Sequence, residues 1–201
     1  MIENGMRLYD QYNNRLYINP EERDRFIEAA SQSDCDIRSF CLTLLYTGIR
    51  LTEARELTVA AVQLDSRLIS VRCLKKRNRH VMREVPIPPA LVEALECVHG
   101  IRTIQKNMVH AHTKFLWTYN GRPLARTTAY RWVKRVMDDA GIVGMQASPK
   151  GLRHGYGIHA IRSGIQLHML KKWMGHASMN TTAIYATAIG KEELALADRM
   201  W

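Results

Sequence analysis

The chain has 201 residues, 46% hydrophobic and 24% charged, with a formal net charge of +10. That length suits one domain whose core needs no disulfide or metal staple, and the composition excludes a disordered or collagen-like chain. No apolar run approaches the ~18 residues that cross a bilayer, and the opening MIENGMRLYD lacks the apolar stretch of a secretory signal, so the expectation is a cytoplasmic protein, nucleoid-associated in a prokaryote.

Residues 1–18 are polar with scattered tyrosines and read as an N-terminal tail or arm. Residues 19–201 read as a single domain. In "NPEERDRFIEAA", Asn19 suits a helix cap, Pro20 the first helical position and Glu22 the third. Phe26, Ile27 and Ala30 supply the inward face. Ile37, Phe40, Cys41, Leu44 and Leu45 recur at helical spacing, and Gly48 ends that helix. Thr52 suits the cap of a short helix reaching about Leu57. The period then becomes two: Ile69, Val71 and Cys73 alternate with polar neighbours, and "VMREVPIP" returns as a second strand. The hairpin tip, "KKRNRH", carries the charge. A helix with Leu91, Leu95 and Val98 inward follows Pro88 and Pro89. Residues 100–114 are poorly periodic and read as loop with some helix. "FLW" reads as a short strand and "NGRP" as a turn. Thr127 suits the cap of a helix with Val133, Val136, Met137 and Ala140 inward, and Ser148-Pro149 starts another. The outline is α+β, mainly α-helical, with a small antiparallel β-sheet.

Lysine and arginine gain affinity for polyphosphate by releasing condensed counterions, so nucleic acid is the first partner the charge suggests, ahead of anionic membrane. The cations lie in separate segments, 75–83, 122–135 and 150–154, as on a folded face. Cys35, Cys41, Cys73 and Cys97 form no C-x-x-C pair and no ligand spacing, so reduced thiols and no metal site are expected.

Four stretches hold polar residues that packing does not require. In "TGIRLTEARELT", Arg50 stands just before a helix start, where free N–H groups and the dipole favour an anion. Glu53, three residues on, suits an ion pair with it. The hairpin tip offers Lys75, Lys76, Arg77 and Arg79 to a DNA groove or to solvent. In "SPKGLRHGYG", Lys150 and Arg153 share a helix face and repel unless an anion lies between them, and His154 extends that basic segment towards DNA. In "MGHASMNTTAIYA", His176 and Tyr185 are nine positions apart around a Thr-Thr pair. A tyrosine oxygen becomes a covalent nucleophile where cations stabilise its ionised form.

Together these stretches resemble the tyrosine recombinase, or phage integrase, family. The resemblance rests on "TGIRLTE", the Lys-bearing hairpin ending in "REVPIP", "LRH" within "SPKGLRHG", and "GHASMNTTAIY", in the family's order. It implies that family's catalytic domain. Tyr185 would be the nucleophile, leaving a 3′-phosphotyrosine and a free 5′-hydroxyl. Arg50 and Arg153 would hold the non-bridging oxygens, His176 would hydrogen-bond the phosphate, and Glu53 would orient Arg50. Lys76, or its rival Lys75, would protonate the departing 5′-oxygen. Neither a cofactor nor a metal is implied. The family usually has histidine where Lys150 stands, so Lys150 is expected as a fixed cation rather than a base. The implied partner is double-stranded DNA, bound as a homotetramer on paired sites. With 18 residues before the first helix, the chain resembles the family's short members. The terminal segment 190–201 would pack in cis or exchange into a neighbouring protomer. The implied activity is site-specific recombination, in integration, resolution or inversion. Its rivals are a DNA-binding accessory protein and a type IB topoisomerase-like relaxing enzyme.

Overall fold

In the computed structural model of the chain, which describes residues 7–73 and 81–186, the first helix starts at its expected cap. Asn19 Oδ1 accepts the Glu22 amide at 2.8 Å, and the Glu22 carboxylate accepts the Asn19 amide at 2.9 Å. This closed capping box opens α1 (Pro20–Ser31). α2 (Cys35–Thr47) buries Ile37, Phe40, Cys41, Leu44 and Leu45 on one stripe. It ends at Gly48, whose φ of +60° is the left-handed cap glycine adopts freely. α3 (Leu51–Arg55) follows at once. Its first turn is capped by the Glu53 carboxylate, which accepts the Arg50 amide at 2.8 Å, and not by the expected Thr52.

A short 3₁₀ turn (Val59–Ala61) leads into β1 (Val62–Gln63), β2 (Leu68–Arg72) and β3 (Met82–Pro86), an antiparallel sheet in that order. Ile69 faces Val85 and Val71 faces Arg83 across β2 and β3. The period-two expectation holds: Ile69, Val71 and Val85 are wholly buried. α4 (Pro89–His99), α5 (Ile101–Gln105) and α6 (Met108–Thr113) come next, so residues 100–114 are more helical than their pattern suggested. Phe115 makes only an isolated bridge to Thr58. The strands of the second hairpin are β4 (Thr118–Tyr119) and β5 (Arg122–Pro123), joined by the Asn120-Gly121 turn.

α7 (Arg126–Asp139) buries Val133, Val136 and Met137, with Thr127 inside its first turn rather than at its cap. α8 (Pro149–Arg162) is capped by Ser148, which accepts the Gly151 amide at 3.1 Å. α9 (Leu167–Met174) and the single turn α10 (Asn180–Ala183) complete the described chain. α2 is the hub, touching α1, α3, α4, α7 and α8. Around it lies the main core. A second, smaller cluster holds Leu8, Ile158, Ile161, Leu170, Met174 and Tyr185.

Residues 7–18, the described part of the expected tail, lie against the body. Tyr9 bridges Arg15, Leu8 and Ile18 are buried, and Arg15 pairs with the buried Glu22. The hairpin tip with Lys75, Lys76, Arg77 and Arg79 lies outside the described residues, as does segment 190–201. Among the described residues no helix is long and apolar enough to cross a membrane.

Candidate active site

Arg50 enters the site from the α2–α3 junction. Its Nη1 donates to Glu53 Oε1 at 2.8 Å, and its side chain remains 25% exposed while that of Glu53 is fully buried. Burial pushes the Glu53 carboxyl up in pKa. The hydrogen bonds and charge of Arg83, and then of Arg50, reverse this and hold it below the usual carboxylate value. Glu53 is therefore an anion inside the protein, between two arginines.

Arg153 comes from the second turn of α8 and is buried. Its guanidinium donates to the Gly48 carbonyl and, at 2.7 Å, to the Met174 carbonyl. It thus spans the end of α2 and the end of α9, two places where helix carbonyls lack intrahelical partners. Burial, and then the charge of Arg50, lowers its pKa to about 10. That still leaves it a cation at neutral pH.

His176 follows α9 after Gly175. Its Nδ1 lies 2.9 Å from the Thr182 hydroxyl, which ties the turn to α10. Its Nε2 is buried and has no partner among the described residues. Burial, and then Arg153 and Arg50, depress its pKa to about 3, so the ring is neutral. The ring stacks on Tyr185, centroids 6.2 Å apart and planes at 16°.

Tyr185 is fully buried. Its ring lies over Gly157 of α8 so closely that a Cβ there would stand 2.6 Å from the ring carbons. Its hydroxyl is 3.2 Å from His154 Nδ1. Burial raises the phenol pKa well above its ordinary value, with Arg153 and Arg50 pulling the other way. His154 is likewise fully buried, and burial, then Lys150 and Arg153, bring its pKa to about 4. A neutral imidazole and a protonated phenol thus share this hydrogen bond, with the tautomer of the ring setting which of them donates.

This corrects one expectation. His154 does not face DNA: it is wholly buried, with its ring centroid 5.9 Å from that of Tyr185, whereas Lys150, in the first turn of α8, is exposed. Lys150 is exposed at the rim of a cleft of about 390 Å³ also lined by Arg50, Thr52, Arg126, Tyr130 and Arg153. Arg50, Glu53, Arg153, His176 and Tyr185, expected together, are brought together. Arg126 and Tyr130 join them unexpectedly from α7. Arg83 was also missed, although its parity with the inward residue Val85 on β3, continued by Ile87 just beyond the strand, signals a buried arginine.

Three stretches of sequence therefore supply two cations around a buried tyrosine and an imidazole nitrogen with no partner among the described residues. The profile of the phage integrase family matches residues 17–191. The chain belongs to the phage integrase family. This integrase-family chain is 33% identical over 147 residues to tyrosine recombinase XerD of Halalkalibacterium halodurans, covering 72% of the chain and 47% of the relative. It is 24% identical over 179 residues to the type 1 fimbriae regulatory protein FimB of Escherichia coli K12, covering 87% and 85%. Its fold matches the crystal structure of XerA recombinase with a TM-score of 0.68 at 28% identity, over 84% of the chain and 59% of that structure. XerH site-specific recombinase bound to palindromic difH substrate, in a post-cleavage complex, shares the fold at a TM-score of 0.72 and 21% identity, over 100% and 58%. The chain spans about half the length of the Xer relatives it matches.

Proposed function

We propose that the chain is a tyrosine-type site-specific recombinase that cuts and rejoins duplex DNA through a 3′-phosphotyrosine. The observation that carries this reading is the convergence of Arg50, Arg153, His176 and Tyr185 from three separate stretches of sequence onto one spot. Arg50 and Arg153 supply the positive charge that a scissile phosphate needs as negative charge builds on its non-bridging oxygens. Losing one such donor typically costs ~2.7–4 kcal/mol of barrier. The free Nε2 of His176 is suited to a third oxygen contact, which accounts for a buried nitrogen left without a partner. The likenesses to the tyrosine recombinases XerD and XerA support the same reading.

In the reaction, Tyr185 Oη forms a bond to phosphorus and the bond from phosphorus to the 5′-oxygen breaks. The tyrosine proton passes to water, and the 5′-oxygen takes one up from a cation at the hairpin tip, Lys76 or Lys75. The number of phosphodiester-type bonds is conserved, so a second 5′-hydroxyl restores the DNA without an external energy source. Lys150 acts as a fixed cation at the cleft rim. The arginines carry the charge that a metal ion supplies in other phosphoryl-transfer sites. The working assembly is a homotetramer on two paired duplex sites, as integration, resolution or inversion of a mobile element requires.

The test begins with a duplex selected by binding from a randomised pool and rebuilt with a 5′-phosphorothiolate at each position in turn. The expected product is a covalent protein–DNA adduct that survives denaturant and vanishes in Tyr185→Phe. An adduct that persists in Tyr185→Phe removes Tyr185 from the role. Tight binding with no adduct at any position replaces the recombinase reading with that of a DNA-binding accessory protein.

A further inference from the structure

Arg83 takes no step in the reaction above, yet its guanidinium makes four contacts beside the site. Nη2 donates to Glu53 Oε2 at 2.7 Å and Nη1 to Glu53 Oε1 at 3.3 Å. Nε donates to the Trp173 carbonyl at 2.8 Å, and Nη1 lies 3.2 Å from Cys73 Sγ. We propose that Arg83 is a positioning residue for the phosphate site: it fixes Glu53 and the end of α9, and it shares the Glu53 charge so that Arg50 stays available to an anion. This inference rests on the recombinase reading.

The charge count is the first reason. Glu53 alone would neutralise Arg50. With Arg83 on the same carboxylate, the trio carries one net positive charge, and Arg50 is its partly exposed member. An ionised carboxylate offers about four acceptor directions. Here the Arg50 amide, Arg50 Nη1 and both Arg83 Nη atoms fill them. The carboxylate is thus fixed from both sides, and Arg50 is fixed by it.

Geometry is the second reason. At the end of α9 two consecutive carbonyls, Trp173 and Met174, accept from Arg83 and Arg153 respectively. These are unpaired carbonyls at the negative end of a helix, where cations bind well. The next residues are Gly175 and His176. A Cβ on Gly175 would stand 3.0 Å from the Arg83 guanidinium, so the turn that aims His176 rests on Arg83. One side chain therefore links the anchor of Arg50, the turn of His176 and the base of the hairpin. A lysine cannot copy this, because a single ammonium lacks the planar fork.

The test uses the selected duplex, with either a normal scissile phosphate or a methylphosphonate that lacks one anionic oxygen. DNA affinity and single-turnover adduct formation are measured for Arg83→Lys, Arg83→Met, Glu53→Gln and the double variant Arg83→Met/Glu53→Gln. Arg83→Met is expected to lower the adduct rate by about 10–100-fold, the usual loss when a partner orienting a site ligand is removed, with affinity almost unchanged. Adding Glu53→Gln should raise that rate, because it removes the carboxylate left to silence Arg50. The deficit should shrink on the methylphosphonate, which demands less of Arg50. Arg83→Lys keeps the buried charge and should fall between wild type and Arg83→Met, so it carries the test if Arg83→Met does not fold. Rates equal to wild type in Arg83→Lys and in any folded Arg83→Met overturn the inference. So does a deficit that is the same on both substrates and unrelieved by Glu53→Gln. A wild-type protein that forms no adduct overturns the recombinase reading, and the inference with it.

Discussion

Tyr185 and Gly157 define each other. The ring occupies the space that any side chain at 157 would need, with a hypothetical Cβ only 2.6 Å from ring carbons. Gly157→Ala must therefore push Tyr185 off His154. Such overpacking costs ~1–3 kcal/mol, and the phenol should gain solvent and titrate nearer its ordinary value. The check is nitration by tetranitromethane with peptide mapping: Tyr185 unreactive in wild type, reactive in Gly157→Ala. Equal protection in both would mean that the ring is held elsewhere. Lys150 gives a second test at this scale. It is exposed at the cleft beside Arg50 and Arg153, so Lys150→Ala should slow adduct formation and Lys150→His should retain or raise it. Wild-type rates in Lys150→Ala would make the position a bystander. Arg50, Glu53, Arg153, His176 and Tyr185 were legible because each sits in a short motif with fixed spacing. The hydrogen bond from Tyr185 to His154 was not, since it joins residues 31 positions apart and depends on how α10 returns to α8.

Helix ends place most of the site. Arg50 lies at the start of α3, Arg153 bonds the last carbonyls of α2 and α9, and Ser148 caps the helix that carries Lys150, Arg153 and His154. Removing that cap in Ser148→Ala should cost ~1 kcal/mol, seen as a lower urea midpoint with an unchanged slope. An unchanged midpoint would show that the Gly151 amide finds another acceptor. The long elements were readable: α1, α2, α4 and α7 each present several apolar residues at one period, and α8 announces itself by its Ser148-Pro149 start. α5 and α6, of 5 and 6 residues, and the two-residue β1 were not. A helix of one or two turns offers too few positions to establish a period, and its formation follows from packing on its neighbours. The start of α3 shows the same limit: its cap is a glutamate in the first turn, a choice set by the arginines that surround it.

At the scale of the whole molecule, the net charge of +10 was legible as a preference for polyanions. Where that charge concentrates was not, because the net charge counts buried arginines such as Arg83 and Arg153 together with surface ones. Enclosing them has a consequence for stability. His154 and His176 are buried among Lys150, Arg153, Arg50 and Arg83, and they titrate near 4 and 3. An unfolded chain takes up these protons near pKa ~6.5. Between that value and the folded pKa the unfolded state binds more protons, so stability must fall as pH falls through this window. By pH 5 each histidine should have removed about 2 kcal/mol relative to neutral pH. Glu22 and Glu53, both held below the carboxylate value, add to the loss only at lower pH. Urea unfolding at pH 7, 6 and 5 checks this, with His154→Gln as the control whose slope should be shallower. Stability that is flat from pH 7 to 5 would mean that both imidazoles take up protons in the folded protein as readily as in the unfolded chain. Tyr185 would then face an imidazolium N–H at His154 Nδ1, and its hydroxyl oxygen would be the acceptor in that pair.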